Sequence, residues 1–418
     1  MKTMIRMIRA LLAALPLATP MMTSAALAQS DRVDRAGTPD KTLLMHYMPW
    51  YQTPEVQGAW GGHWTGWQKQ HDPETTDERG LPDLWSEFRP LIGPYDSADP
   101  DVIECQLLQM KLAGVDGVIV DWYGIGQVAD YPPNQRGAVA LFEACGRVGM
   151  SFAVCYEDRT IQHMQNTGAL DKSETRAHLT ETIEWLDEHW FHDDRYVAID
   201  GRPLLLNFGP IHVKDPADWD AALGAVSPRP AYFALHHLYK GVRADGGYTW
   251  VHADAWETPS SDAIRERLDR IYRGVSEDPA RTIVSALPGF DDVYEHSYSY
   301  VPHLGGETME ASLGVCMEGP WSIVQLVTWN DYGEGTVIEP TYEFGYRFLE
   351  IIQRARRDER GDAFVRTPED LRLPARLLKA RKADAADERT LDAVAGMLAD
   401  GACDRARAAL DRLEGAMP

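Results

Sequence analysis

The sequence predicts an α/β fold, a (β/α)8 TIM-like barrel with a small C-terminal helical appendage, and three observations carry that prediction. Eight short apolar or β-branched runs recur, at residues 42–50, 116–122, 151–156, 203–208, 231–236, 250–256, 281–287 and 323–329. Helical patterns separate most of them. Near-continuous apolar strands alternating with amphipathic helices argue for a parallel sheet covered by helices, and eight strands favour closure. Polar and aromatic residues gather at the strand ends, the face on which a barrel enzyme builds its site. An open doubly wound sheet is the alternative. It would carry a glycine-rich phosphate turn after an early strand, and Gly124-Ile125-Gly126 lacks the third glycine.

Taken in chain order, Lys2, Arg6 and Arg9 precede an apolar stretch from Leu11 to Met22 and the small-x-small site Ala26-Leu27-Ala28. This is the order of a secretory signal peptide cleaved after Ala28, which would place the mature protein in the periplasm or outside the cell. A retained anchor is the alternative, disfavoured because the stretch is proline-interrupted and shorter than the roughly 20 residues that span a bilayer. Loss of residues 1–28 removes three of the 41 basic residues and none of the 64 acidic ones, taking the formal charge from −23 to −26. Nucleic acid is excluded as a partner, because its phosphates require clustered Lys and Arg; neutral sugars suit such a surface.

Residues 40–358 are expected to form the catalytic barrel. Pro100 sits at a first-turn position, with Ile103, Leu107 and Met110 on one face and Gly114 as a stop. Ser173 and Ser261 each precede apolar residues at helical spacing: Leu179, Ile183, Leu186 and Trp190, then Ile264, Leu268, Ile271 and Val275. The long segment 51–98 carries Trp60, His63, Trp64, Trp67, Trp85 and Tyr95, and reads as a loop folded over the site. Residues 365–418 form the appendage, with Leu391, Val394 and Leu398 facing Ala406, Leu410 and Leu413 in a helical hairpin. The five cysteines are scattered through apolar patterns and read as buried thiols.

The segment with the strongest chemical signal runs from Val327 to Pro340. A hydrophobic strand leads directly into Asp331 and Glu334, two carboxylates three residues apart, flanked by Asn330, glycines and aromatics. Glycosidic cleavage needs a proton donor for the leaving oxygen and a second carboxylate facing the sugar. Repulsion and burial within one turn raise one pKa and leave the other acid ionised. The bland alternative is a polar turn closing the barrel, with Asp331 capping a helix.

Here the chain resembles glycoside hydrolase families 71 and 99. Trp329-Asn330-Asp331-Tyr332-Gly333-Glu334 is similar to the family 71 signature, and Glu334-Gly335-Thr336 with Ile338-Glu339-Pro340 to family 99. His46 to Tyr51, Gly93 to Ser97, and Met110-Lys111 with Gly117 to Gly124 resemble the first two strands of bacterial members. The resemblance implies that Glu334 is the general acid/base and Asp331 its partner. In family 99 that partner is a glutamate that deprotonates the sugar's own 2-hydroxyl, giving an epoxide and net retention. Asp331 is one methylene shorter, and Gly333 stands where family 99 has a histidine; both match family 71, for which inversion by water is expected. Both outcomes stay open, a carboxyl separation of about 5 Å favouring direct attack and about 6.5–9.5 Å leaving room for water.

The remaining candidates are substrate-binding: Tyr47, Trp50, Tyr51, Trp64, Asp121, Trp122, Tyr123, Glu157, Asn207, Trp256, Asn330 and Tyr332. Aromatic faces stack on pyranose rings, or else pack loops. Asp121 either binds hydroxyls or pairs within the core; Glu157 stands where family 99 has a substrate-binding glutamate. Asp254 and Asp292 are reserve carboxylates. His63, His236 and His237 lack HExxH or His-x-His spacing, so no metal and no cofactor is expected. The expected function is an exported glycoside hydrolase acting on α-linked polysaccharide or oligosaccharide. A non-catalytic carbohydrate-binding barrel and a polysaccharide-biosynthesis protein are the alternatives.

Overall fold

The computed structural model describes residues 40–251, 260–275, 278–294 and 300–416. The signal segment 1–28 and Asp254, Trp256 and Glu257 lie outside the described residues.

The barrel is closed. Its strands are β1 (Thr42–Tyr47), β2 (Gly117–Trp122), β3 (Ser151–Tyr156), β4 (Arg202–Asn207), β5 (Ala231–Leu235), β6 (Gly246–Tyr248), β7 (Thr282–Ala286) and β8 (Ile323–Leu326). Every neighbouring pair around the ring is parallel, β8 pairs with β1, and the β3–β4 pairing completes the sequence of eight.

Strand alternation sorts the apolar runs into two cores. Leu44, Ile119, Ala153, Leu204, Leu206, Phe233 and Ile283 fill the interior. Their odd-numbered or even-numbered neighbours, such as Met45, Val118, Val120, Val154, Leu205 and Val284, pack outward on the helices.

The sixth strand departs from the expected run at 250–256. Of that run only Trp250 and Val251 are described, and neither is in a strand. The strand is Gly246-Gly247-Tyr248, and its glycines serve close packing: a Cβ on Gly246 would stand 2.3 Å from the Phe233 ring and 2.5 Å from the Arg281 carbonyl oxygen. Paired glycines read as a turn in sequence, yet here they let a strand lie flush against its neighbours.

Helices cover the outside: α1 (Pro100–Ala113), α2 (Tyr131–Val148), α3 (Thr175–Leu186), α4 (Pro216–Leu223), α5 (Ser261–Val275), α6 (Glu307–Glu318) and α7 (Arg347–Arg360). The Asp99 carboxylate caps α1 by accepting from the Asp101 and Val102 amides at 3.0 and 3.4 Å, and Gly114 ends it at φ 95°. At the N-terminal end of the barrel the fully buried Arg356 donates to the Gly114 and Lys41 carbonyls at 2.7 and 2.8 Å and ion-pairs with Asp116 and Glu359.

The C-terminal helices α8 (Leu373–Lys382), α9 (Glu388–Ala399) and α10 (Cys403–Ala416) share the outer core. Leu371, Leu377, Leu391, Val394, Leu398, Ala406 and Leu410 are buried in one cluster with Ile103 and Leu107 of α1. Arg381 of α8 fastens them with two hydrogen bonds to Glu104, at 2.9 and 3.1 Å. All five cysteines are buried and unpaired. Among the described residues no helix is long and apolar enough to cross a membrane.

Candidate active site

The C-terminal mouth of the barrel opens into a cleft of about 320 Å³ lined by acids and aromatic rings. Among the described residues four carboxylates reach it. Asp121 ends β2, Glu157 follows β3, and Asp331 and Glu334 lie in the turn after β8. In the ring β1 stands between β2 and β8, and its extension contributes Met48 and Trp50 to the wall between the two groups of acids.

The turn after β8 is built by local hydrogen bonds. Beyond the strand, Trp329 N–H still donates to the His46 carbonyl at 2.7 Å, which carries the chain to the mouth. Asp331 N–H then donates to Thr328 Oγ1 at 2.7 Å, and Asp331 Oδ1 accepts from Glu334 N–H at 3.0 Å. Asp331 therefore caps a turn, not the helix that the bland alternative supposed, while also facing the cleft. Burial pushes its carboxyl up to about 7, against the pull of the Glu334 and Gly333 amides. Burial first, then the charges of Asp331, Asp292, Glu157 and Asp121, hold Glu334 well above the usual carboxylate range. Its Oε2 is buried and has no hydrogen-bonding partner. A carboxyl kept protonated in this way is chemically a proton donor.

Asp121 and Glu157 are raised as well, by burial foremost; Asp331 adds to the push on Asp121, and Asp121 to that on Glu157, which Arg159 partly offsets. The neighbouring Asp158 faces away and accepts from the amides of Ile211, His212 and Val213 at 2.7–2.9 Å. It anchors the loop that presents Phe208.

Trp50 and Tyr123 line the cleft, so six of the expected site residues come together there: Trp50, Asp121, Tyr123, Glu157, Asp331 and Glu334. Seven others do not line it. Tyr47 points outward and donates to Gln106 of α1 at 2.6 Å. Tyr51 donates to the Asn330 carbonyl at 2.7 Å, and Trp64 to the Tyr95 carbonyl at 2.9 Å. Trp122 packs on Trp185 and Trp190 in the helical layer. Asn207 donates to the Tyr232 hydroxyl at 3.2 Å. Asn330 clamps both backbone polar groups of Met48, at 2.8 and 3.0 Å. Tyr332 donates to Glu339, which also accepts from Tyr95 and Gln106, all at 2.7–2.8 Å.

The cleft also holds His63 and Trp67, from the segment expected to fold over the site, and Met48, Arg159, Phe208, Trp250 and Tyr294, which were not among the expected site residues. His63 stacks on Trp50 with ring centroids 4.2 Å apart, and bonds Tyr294 and Asp130 at 3.1 and 3.3 Å. Trp67 stands at the rim, 59% exposed. Both lie in the loop 51–98, whose inner residues pack against Tyr332 and Val337. Gly333 explains the place of Tyr294: a Cβ there would fall 1.7 Å from the tyrosine Cζ.

Paired acids at the mouth of a closed barrel can serve glycosidic cleavage, and comparison with known proteins decides the family. Residues 38–190 match the description of glycosyl hydrolase family 99. The rat glycoprotein endo-alpha-1,2-mannosidase is 34% identical over 342 residues, which cover 74% of this chain and 71% of that protein. This chain belongs to glycosyl hydrolase family 99. A mouse glycoprotein endo-alpha-1,2-mannosidase-like protein is 24% identical over 71% of this chain and 69% of its own. The family 99 endo-alpha-mannosidase structure from Bacteroides thetaiotaomicron superposes with a TM-score of 0.55 at 19% identity, covering 78% of this chain and 98% of that one. The family 99 chain described here is thus a glycoside hydrolase, and its substrate is a saccharide.

Proposed function

We propose that this family 99 hydrolase is exported with loss of residues 1–28, and that it cleaves α-linked bonds of a polysaccharide or oligosaccharide with Glu334 as general acid/base and Asp331 as partner carboxylate. One observation carries the catalytic reading: Glu334 Oε2 is buried without a partner, and burial first, then the neighbouring acids, hold its carboxyl well above the usual carboxylate range. A partnerless buried acid has its proton available for an incoming glycosidic oxygen. The relatives' names, endo-alpha-1,2-mannosidases among them, support an α-linkage. Export is supported by the basic, apolar and small-residue order of the N-terminus.

The residues of the cleft wall support a placement of the substrate. Asp121 and Glu157 offer oxygens to sugar hydroxyls, while Trp67, Trp250 and Phe208 offer apolar faces for pyranose rings. Incubation with α-mannans, α-1,3-glucans and bacterial heteroglycans, followed by NMR of the product anomers, tests the reading and assigns retention or inversion. Release of sugar by the wild type and not by Glu334→Gln supports it. Equal release by both defeats it.

A further inference from the structure

Directly beneath the cleft, three strands in succession each turn one potential metal ligand inward. His46 comes from β1, Asp121 from β2 and Cys155 from β3, and Asp121 and Cys155 are register partners. One nitrogen, one oxygen and one sulfur atom of the three lie within 4.8 Å of one another, and all three residues are buried. His46 Nε2 and Asp121 Oδ1 stand 4.0 Å apart, too far for a hydrogen bond. Nε2 of His46 has no hydrogen-bonding partner, whereas the Asp121 carboxyl has Glu157 as a side-chain hydrogen-bonding neighbour. A buried ring nitrogen in that state is costly unless something occupies the space in front of it.

The surrounding hydrogen bonds settle which nitrogen of His46 is bare. Ser285 Oγ donates to the Thr249 carbonyl, so toward Gln325 it can only accept, and it does so from Nε2 at 3.3 Å. The Gln325 amide is thereby oriented with Oε1 toward His46 Nδ1, at 3.4 Å. Nδ1 therefore carries the ring proton, and the Nε2 lone pair faces Asp121. An outer hydrogen bond that fixes the tautomer of an imidazole is the usual support of a metal-ligating histidine. On the other side the Tyr248 hydroxyl, whose own proton goes to the Asn207 carbonyl at 2.9 Å, lies 3.5 Å from Cys155 Sγ and accepts from its thiol.

We propose that His46, Asp121 and Cys155 form a binding site for a zinc-like divalent cation, with its fourth position open to the cleft. An imidazole, a carboxylate and a thiolate suit zinc or cobalt and not magnesium or calcium, which take oxygen ligands. Binding releases to solvent both the Cys155 thiol proton, with its hydrogen bond to Tyr248, and the proton that burial holds on the Asp121 carboxyl. The cation would also offset the acidic charge gathered at the mouth. Because it takes Asp121 out of the cleft wall, its occupation inhibits hydrolysis. That consequence rests on the proposed function; the binding does not.

Titration of the full chain with cobalt(II) tests the site, because a cobalt–thiolate bond gives a charge-transfer absorption that oxygen or nitrogen ligands do not. The expected result is one equivalent of cobalt, a sulfur charge-transfer band displaced by zinc, no band in Cys155→Ser, and affinity lowered by about 10–100-fold in Gln325→Leu. Zinc then inhibits the wild type and not Cys155→Ser. Should Cys155→Ser fail to fold, anomalous scattering at the zinc edge from a zinc-soaked wild-type crystal replaces it, with a peak expected between the three side chains. Absence of the charge-transfer band, its persistence in folded Cys155→Ser, or anomalous density only elsewhere overturns the site. A protein that binds cobalt as described but hydrolyses no glycan would fail only the proposed function.

Discussion

Asp331 Oδ1 accepts the backbone N–H of Glu334 at 3.0 Å, so one acid of the pair fixes the turn that presents the other. A substitution that removes the charge of Asp331 need not remove this bond, since an asparagine oxygen accepts equally well. Asp331→Asn therefore keeps the turn, and Glu334→Gln leaves the fold untouched. On natural glycosides Glu334→Gln is expected to lower kcat/KM by about 10²–10⁴-fold. With an activated aryl glycoside, whose leaving group needs little protonation, the first step suffers far less in Glu334→Gln than in Asp331→Asn. Near-normal turnover in both variants would pass the assignment to Asp121 or Glu157.

Glu339 predicts a pH dependence of stability. It is 1% exposed, accepts hydrogen bonds from Tyr95, Gln106 and Tyr332, and is pushed by burial from 4.5 up to about 7. Its folded pKa is raised, so between those two values the native state holds more protons than the unfolded chain. Stability then falls as pH rises through that window and levels off above it. Asp121, Asp331, Glu157 and Glu334 are displaced in the same direction by the same cause. Buried neutral His46 and His303, lowered by burial to about 3 and about 4, act in the opposite sense in wild type and variant alike. The test is therefore the difference: between about pH 5 and about pH 8 the melting temperature of Glu339→Gln should fall less, or rise more, than that of the wild type. Identical pH profiles for the two would mean that the Glu339 carboxyl is solvated.

The C-terminal helices are expected to be indispensable to the barrel. Each of Leu371, Leu377, Leu398 and Leu410 is buried in the cluster that also holds Ile103 and Leu107 of α1. At about 1.5–3 kcal/mol per buried side chain, their loss exceeds what a marginally stable domain tolerates. Deletion of residues 365–418 should give insoluble protein or a lost cooperative transition in circular dichroism. A truncated chain that melts like the full one would make the helices a separate body.

The barrel was legible because apolar runs and helical spacing are set by burial on two faces. The sixth strand was not, because its fit depends on glycines packed under Phe233 and Arg281, a tertiary requirement without a local signature. At the site, strand parity separates strand residues that face the cleft from those that do not. Asp121 faces inward, so Trp122 must face the helices; His46 faces inward, so Tyr47 must reach α1. That alternation was available in the sequence and would have removed both aromatics from the cleft. His63, Trp67, Arg159, Phe208, Trp250 and Tyr294 arrive from loops, where no period exists to place them. The grouping of His46, Asp121 and Cys155 is likewise invisible to a search for ligands at fixed spacing, since it spans three strands.

Gly333 and Tyr294 give the sharpest test of the cleft's shape. A Cβ on Gly333 would meet the tyrosine ring at 1.7 Å from Cζ and 2.0 Å from Cε2, so the ring and a side chain at position 333 exclude each other. Gly333→Ala is therefore expected to cost about 1–3 kcal/mol by overpacking, and to break the 3.1 Å bond between Tyr294 and His63. Removing the ring removes the clash, so Tyr294→Ala combined with Gly333→Ala should be more stable than Gly333→Ala alone. The two changes must then be non-additive, as they are for groups in contact. Thermal melts of the wild type, the two single variants and the double variant supply the cycle. An additive result, with the double variant less stable than either single one, would show that Tyr294 does not occupy the space above Gly333.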